Sequence, residues 1–165
     1  MKVLKRRRRE NKTDYMKRLR FLKSEKPRIV FRKTNRYVIA QYITNNETQD
    51  EIEIGVNSKS LLKHGWSEEF KGSLKSIPAS YLTGLLIGKM IIKNKKQAPI
   101  VDFGMARGIH GSKIFALLKG LVDAGVKIKH EEKIFPSEDR IRGKSLKKDF
   151  SKIFDEIKSN IENEK

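Results

Sequence analysis

Between Pro27 and Ile43 apolar and polar side chains alternate with a period of two. Ile29 and Phe31 fall on one side of an extended segment, and Arg28, Val30 and Arg32 on the other. Pro27 biases Lys26 towards extended geometry. Lys33-Thr34-Asn35-Arg36 supplies a turn, with Asn35 suited to the left-handed conformation that tight turns use. A second strand resumes with Tyr37, Ile39, Gln41 and Ile43 on one side and Arg36, Val38, Ala40 and Tyr42 on the other. The pattern predicts a hairpin in which one face is a core wall and the other carries guanidinium groups. Asp50–Val56 alternates again, with Ile52, Ile54 and Val56 inward. Joined through residues 44–49, it predicts a third antiparallel strand.

Elsewhere the period is helical. A helix is expected from Thr13, with Thr13 as cap, Asp14 in the first turn and Tyr15, Leu19 and Leu22 on one face; Ser24–Pro27 ends it. Ser58 is placed to cap a short helix that Gly65 stops, and Trp66–Lys75 reads as an irregular connection with one helical turn. Pro78 suits the first position of a helix reaching Asn94, whose broad apolar surface includes Leu82, Leu85, Leu86, Met90, Ile91 and Ile92. Gly84 and Gly88, one turn apart, allow a close approach, which is expected against the sheet.

Pro99–Phe103 predicts a short buried strand, Gly104–Lys113 a glycine-rich loop, Lys113–Ala124 a helix stopped by Gly125, and Val126–Ile128 another strand. That succession is a βαβ unit, with parallel strands and a right-handed crossover. Ser137 with Glu138 and Asp139 starts, and Gly143 ends, a single helical turn. Leu146, Phe150, Ile153, Phe154, Ile157 and Ile161 then mark an amphipathic helix over Leu146–Ile161, which docks on this chain or on a neighbouring protein. The predicted fold is α/β: a three-stranded antiparallel meander joined to a βαβ unit in a mixed sheet with packed helices. It divides into a basic N-terminal arm (1–26), an α/β core (27–130) and a helical C-terminal extension (131–165).

Charge narrows the partner. Of a net charge of +18, most lies in residues 1–36, which hold 16 Lys and Arg against three acids. Such an excess implies a polyanion, either nucleic acid or an anionic membrane surface. The outer face of the C-terminal helix mixes Lys with Asp and Glu, which argues against a membrane-surface helix, where cations dominate. The apolar run Ile77–Ile92 contains Lys89 and is shorter than the ~20 residues a bilayer-spanning helix needs, so it reads as a core helix. The basic N-terminus is followed by no apolar run, so no secretory signal is expected. There is no Cys, which excludes disulfides, thiolate metal sites and a cysteine nucleophile. His64, His110 and His130 are scattered, and no metal site or cofactor is expected.

The glycine loop is where catalysis would be sought. A loop leading into a helix N-terminus can hold an anion, and Arg107, His110 and Lys113 add positive charge. Its glycine spacing fits neither a dinucleotide-binding fingerprint nor a P-loop. Asp102, His110 and Glu131 could be imagined as a metal or acid–base set, but nothing in their spacing requires convergence. The favoured reading is a turn that holds an RNA phosphate, with no catalytic residue. A small basic nucleic-acid-processing enzyme using Asp102 and His110 is the alternative.

Several motifs together resemble one family. Arg7-Arg8-Arg9-Glu10-Asn11-Lys12-Thr13-Asp14-Tyr15, Pro78–Lys89, Asp102-Phe103-Gly104, His110-Gly111 and Pro136–Gly143 occur in the order found in archaeal-type large-subunit ribosomal proteins. The family is the one numbered eighteen in bacteria and archaea and five in eukaryotes. The resemblance implies a ribosome-bound, cytoplasmic structural protein that binds 5S rRNA and helps anchor it to the large-subunit rRNA in the central protuberance, beside neighbouring ribosomal proteins. It implies no membrane and no small-molecule substrate. Carried over by position, RNA contacts are expected from three segments. They are the arm (Arg6, Arg7, Arg8, Arg9, Lys12, Tyr15, Arg18), the hairpin (Arg28, Arg32, Thr34, Asn35, Arg36) and the loop (Arg107, His110, Lys113). The loop departs from the usual pattern at Met105-Ala106-Arg107 and Ser112-Lys113.

Overall fold

Strand propensity and alternation place four strands in one mixed sheet: β1 (Arg28–Lys33), β2 (Val38–Asn46), β3 (Gln49–Asn57) and β4 (Ile100–Asp102), in the order β3-β2-β1-β4. The computed structural model describes residues 3–47, 49–146 and 149–163. Thr48, in the expected connection, and Lys147 and Lys148, in the expected last helix, lie outside them. β1–β2–β3 is the antiparallel meander, and β4 pairs with β1 in parallel, Arg28 opposite Ile100 and Val30 opposite Asp102.

The meander's alternation is interrupted once. Tyr42 pairs with Ile54 but Ile43 pairs with Ile52, so Glu53 is an extra residue on β3. One inserted residue reverses the faces beyond it. Ile54 and Val56 are therefore core, whereas Ile52, expected inward, is 54% exposed. The hairpin loop also differs from expectation. Thr34 closes it, its backbone N–H and its hydroxyl both donating to the Tyr37 carbonyl, and Asn35 is not among the residues of positive φ.

The described residues also form six helices: α1 (Arg6–Arg9), α2 (Tyr15–Lys23), α3 (Ile77–Lys93), α4 (Lys113–Asp123), α5 (Glu138–Arg142) and α6 (Ser151–Asn163). Short 3-10 turns cover Ser58–His64, Glu68–Ser73 and Glu132–Ile134. The expected strand at Val126–Ile128 is not formed. Val126 instead packs into the core with its N–H donating back to the Leu121 carbonyl of α4, and the parallel pair is β1 with β4 and not β4 with a later strand. The α/β class and the mixed sheet stand; the βαβ unit as placed does not. After Gly125 the chain returns to the glycine loop, where the Gly111 N–H donates to the Ile134 carbonyl, and to α4, where the Lys119 ammonium lies 5.4 Å from the Phe135 ring centroid.

α3 is the centre of the core, buried from Pro78 to Gly88 and touching α4, β2, β3, α5 and α6. Its glycines face α4 and not the sheet. A Cβ on Gly84 would collide with the Leu117 carbonyl, one on Gly88 with the Ala124 side chain, and one on Gly120 with the Tyr81 carbonyl. Two helices can approach this closely only where side chains are missing. The C-terminal helix docks on this same chain. The Phe150 ring lies tilted against Trp66 at 4.6 Å and edge-to-face with Phe70 at 5.0 Å between ring centroids, and Phe154 lies 5.5 Å from Tyr81. Among the described residues no helix is long and apolar enough to cross a membrane.

Candidate nucleic-acid interface

The second face of the sheet, away from α3, carries Arg28, Val30, Arg32 and Ile43, and α2 lies over it. Asp14 starts α2 by accepting from the Met16 and Lys17 backbone N–H groups; Asp14, and not Thr13, is the cap. Thr13 instead accepts from Arg7 Nε at 2.9 Å. From that cap, Lys17, Arg18 and Phe21 fall on the sheet side at helical spacing, while Met16 and Leu19 are left exposed. The expected apolar face of Tyr15, Leu19 and Leu22 is therefore not the one that packs. The contact is ionic and cation–π. Lys17 Nζ donates to the Gly104 carbonyl, Arg18 pairs with Asp50 at 3.1 Å, and the Phe21 ring centroid lies 5.8 Å from the Arg28 guanidinium carbon.

Arg28 does not point to solvent. It is buried, 2.6 Å from Asp50 and 3.8 Å from Asp102, and it donates to the Asn45 side-chain carbonyl. A buried guanidinium is tolerated only with such paired acids. Its expected place among exposed cations is corrected: it is the ionic centre that joins arm, sheet and loop. Arg32, half exposed, pairs with Asp102 at 3.2 Å and donates to the backbone carbonyls of Phe31 and Asp102. Asp102 also accepts from the Gly104 N–H at 2.8 Å, which sets the first turn of the glycine loop. Gly104 has φ +61°, which favours glycine, and a Cβ there would press on the Arg32 guanidinium at 3.0 Å. Asp102 is thus occupied by two guanidinium groups and an amide. His110 rests edge-on against Phe115, and no hydrogen bond joins it to Asp102. Among the described residues no group of three or more His, Asp or Glu is placed to hold a metal.

The remaining candidates are exposed, apart from Tyr15 and Lys113, which are partly buried. Arg6, Arg7, Arg8 and Arg9 form a single helical turn, with Glu10 close to Arg6 and paired to Lys12 at 2.8 Å. Tyr15 is partly covered by the Lys5 ammonium, 4.6 Å from its ring centroid. Thr34, Asn35 and Arg36 make the exposed hairpin tip, and Arg107 and His110 the exposed part of the loop. Lys113, at the start of α4, is partly buried, and that burial together with Lys33 and Lys75 holds its ammonium below lysine's ordinary value. Sequence reasoning missed Lys17, Lys33, Lys75 and Arg140. Lys33 shares its strand face with Phe31, so alternation alone could have placed it at the rim of the core wall. Arg140 reaches the loop only because the Gly111 N–H donates to the Ile134 carbonyl and bare Gly111 leaves room for the guanidinium.

Residues 1–101 match the family model described as ribosomal large subunit proteins 60S L5 and 50S L18. The chain belongs to this family. It is 48% identical over 145 residues to the large ribosomal subunit protein uL18 of Korarchaeum cryptofilum, covering 88% of this chain and 72% of the relative. It is 40% identical to the uL18 protein of Methanothermobacter thermautotrophicus across 96% of this chain and 94% of that one. The uL18 protein of Methanospirillum hungatei is 42% identical over 86% of this chain and 78% of its own length. This membership makes the protein a large-subunit ribosomal protein and points to a structural, non-enzymatic role on the ribosome.

Proposed function

We propose that the protein binds 5S rRNA and helps to anchor it to the large-subunit rRNA in the central protuberance. The observation that carries this reading is the meeting of the three cationic segments around Gly104. Lys17 of α2 donates to its carbonyl, Arg32 of the hairpin lies against its Cα, and the Asp102 carboxylate that binds Arg32 also caps its N–H. Arm, hairpin and loop therefore meet at Gly104, and we read their exposed cations as one basic surface, with Asp50 and Asp102 spent internally on Arg18, Arg28 and Arg32. The contacts we assign to RNA are Arg6, Arg7, Arg8, Arg9, Lys12 and Tyr15 of the arm, Thr34, Asn35 and Arg36 of the tip, and Arg107, His110 and Lys113 of the loop. Arg18 and Arg32 stand at the edge of this surface, and Arg28 supports it from beneath.

Such a surface reads phosphates and RNA shape, because the deep groove of A-form RNA is closed to side chains and specificity falls on single-stranded elements. The test is binding of the full chain to a 5S rRNA transcript and to an unrelated structured RNA of equal length, at several salt concentrations. Tighter binding to the 5S transcript at every salt supports the reading. Equal affinity for both RNAs would reduce it to non-specific polyanion binding. The domain division proposed from sequence, with arm, core and extension, gives the arm and core to RNA and leaves the outer face of the extension to neighbouring ribosomal proteins.

A further inference from the structure

Between the glycine loop and the face of β1 that carries Phe31 and Lys33 lies a pocket of about 440 Å³. Phe31, Ile77, Ile109 and Ile114 give it an apolar wall; Lys33, Arg107, Lys113 and Arg140 surround that wall with positive charge. Lys75 is near enough to Lys113 to repel it. None of these five cations is in an ion pair with a carboxylate among the described residues. Ser112 also lines the pocket, and its hydroxyl beneath that lining is shielded from solvent without a hydrogen-bond partner. Gathering like charges around a partly buried lysine costs stability, and an anion bound among them relieves that cost. Ile109 is 64% exposed beside the cations, so an apolar surface is offered at the same mouth.

A bare phosphate would use the cations but is far smaller than the pocket, and it leaves the isoleucine wall without a partner. A nucleotide uses both, since every base has an apolar face and every nucleotide a charged phosphate. We propose that this pocket receives one unpaired nucleotide of the bound RNA, its base against Ile109 and Ile114 and its phosphate among Lys33, Lys113 and Arg140. The inference rests on the RNA-binding reading above and goes beyond it. It assigns Lys33 and Arg140 to the ligand and makes the loop a base-receiving site in addition to a phosphate clamp. It also gives the C-terminal extension, through Arg140 on α5, a direct part in RNA recognition.

The experiment uses the full chain with isoleucine methyl groups labelled for NMR, titrated with a 5S rRNA transcript and, separately, with AMP. The methyls of Ile77, Ile109 and Ile114 should shift on RNA binding and show contacts to base protons. The Lys33→Gln, Lys113→Gln double variant should bind the transcript more weakly, with a slope of log affinity against log salt shallower by about 0.7–0.9 for the one phosphate they hold, and lose those shifts. It should also unfold at a higher temperature, because two repelling charges are gone, so weaker binding cannot be put down to lost folding. An Arg8→Gln, Arg9→Gln variant should weaken binding yet keep the isoleucine shifts at saturation. Silent methyls in a saturated complex would overturn the pocket assignment and leave the RNA-binding reading standing. Shifts without base contacts would reduce the site to a backbone phosphate clamp. AMP that stays in place at saturating RNA would assign the pocket to a free nucleotide. Failure of the unaltered protein to bind the transcript would overturn both readings.

Discussion

The Arg28 guanidinium lies 2.6 Å from the Asp50 carboxylate, with the arginine side chain 4% exposed and the aspartate 26%. Asp50 also holds Arg18 of α2, so one carboxylate ties a core strand to the basic arm. Removing the arginine leaves Asp50 and the more deeply buried Asp102 short of a partner. We expect Arg28→Ala to destabilise the protein by about 3 kcal/mol, the low end for breaking a buried pair because Asp50 is partly solvated. Arg32→Ala should cost ~0–1 kcal/mol, since its side chain is half exposed. Urea unfolding of both variants checks this; equal losses would mean that the buried pair adds nothing.

Close packing of α3 on α4 makes a second expectation. Gly84→Ala puts a methyl group into the Leu117 carbonyl, and Gly120→Ala puts one into the Tyr81 carbonyl. Backbone cannot give way as a flexible side chain does, so each should cost at least the ~1–3 kcal/mol typical of overpacking. Gly72→Ala is the control, since a Cβ there meets nothing within 4 Å. Thermal melts in which all three variants match the parent would refute the helix contact.

Deleting residues 1–26 should have two separable effects. It uncovers Val30 and Ile43, which are 6% exposed beneath α2, so the melting temperature should fall while unfolding stays cooperative. It also removes the arm's phosphate contacts, each of which adds ~0.7–0.9 to the slope of log affinity against log salt. A truncated protein with the full slope would show that the arm does not touch RNA.

Tyr81 makes stability fall in alkali. Burial, and then the hydrogen bond to Asp123 at 2.8 Å, push its phenol well above tyrosine's ordinary value. The folded state thus holds this proton more tightly than the unfolded chain. Its contribution is fully present below the unfolded value near ~10 and is lost as pH rises beyond it. Tyr81→Phe keeps the ring against Phe154 and should cost about 1 kcal/mol at neutral pH. The same variant should show a shallower loss of stability between about pH 9 and 11. An unchanged alkaline slope in urea titrations would exclude Tyr81 as its source.

The amino-acid sequence by itself determined what is set by neighbours along the chain. Period-two alternation gave β1 and β2, the Ser137–Gly143 signals gave α5 at its observed bounds, and the spacing of Phe154, Ile157 and Ile161 gave the buried face of α6, which begins at Ser151 and not at the expected Leu146. The concentration of charge in residues 1–36 likewise pointed to a polyanion before any fold was known. Tertiary structure decided what depends on residues distant in the chain. Alternation could not reveal that Arg28 is buried, because the acids that neutralise it are Asp50 and Asp102 on two other strands. A bulge at Glu53 turned Ile52 outward, since one inserted residue reverses a strand's faces while leaving its composition unchanged. Gly84 and Gly88 signalled a close approach but not its partner, because a missing Cβ says only that something comes near. The cations around Lys113 come from β1, the Ser73–Ile77 stretch, the glycine loop and α5, and only packing brings repelling charges that far apart in sequence to one pocket.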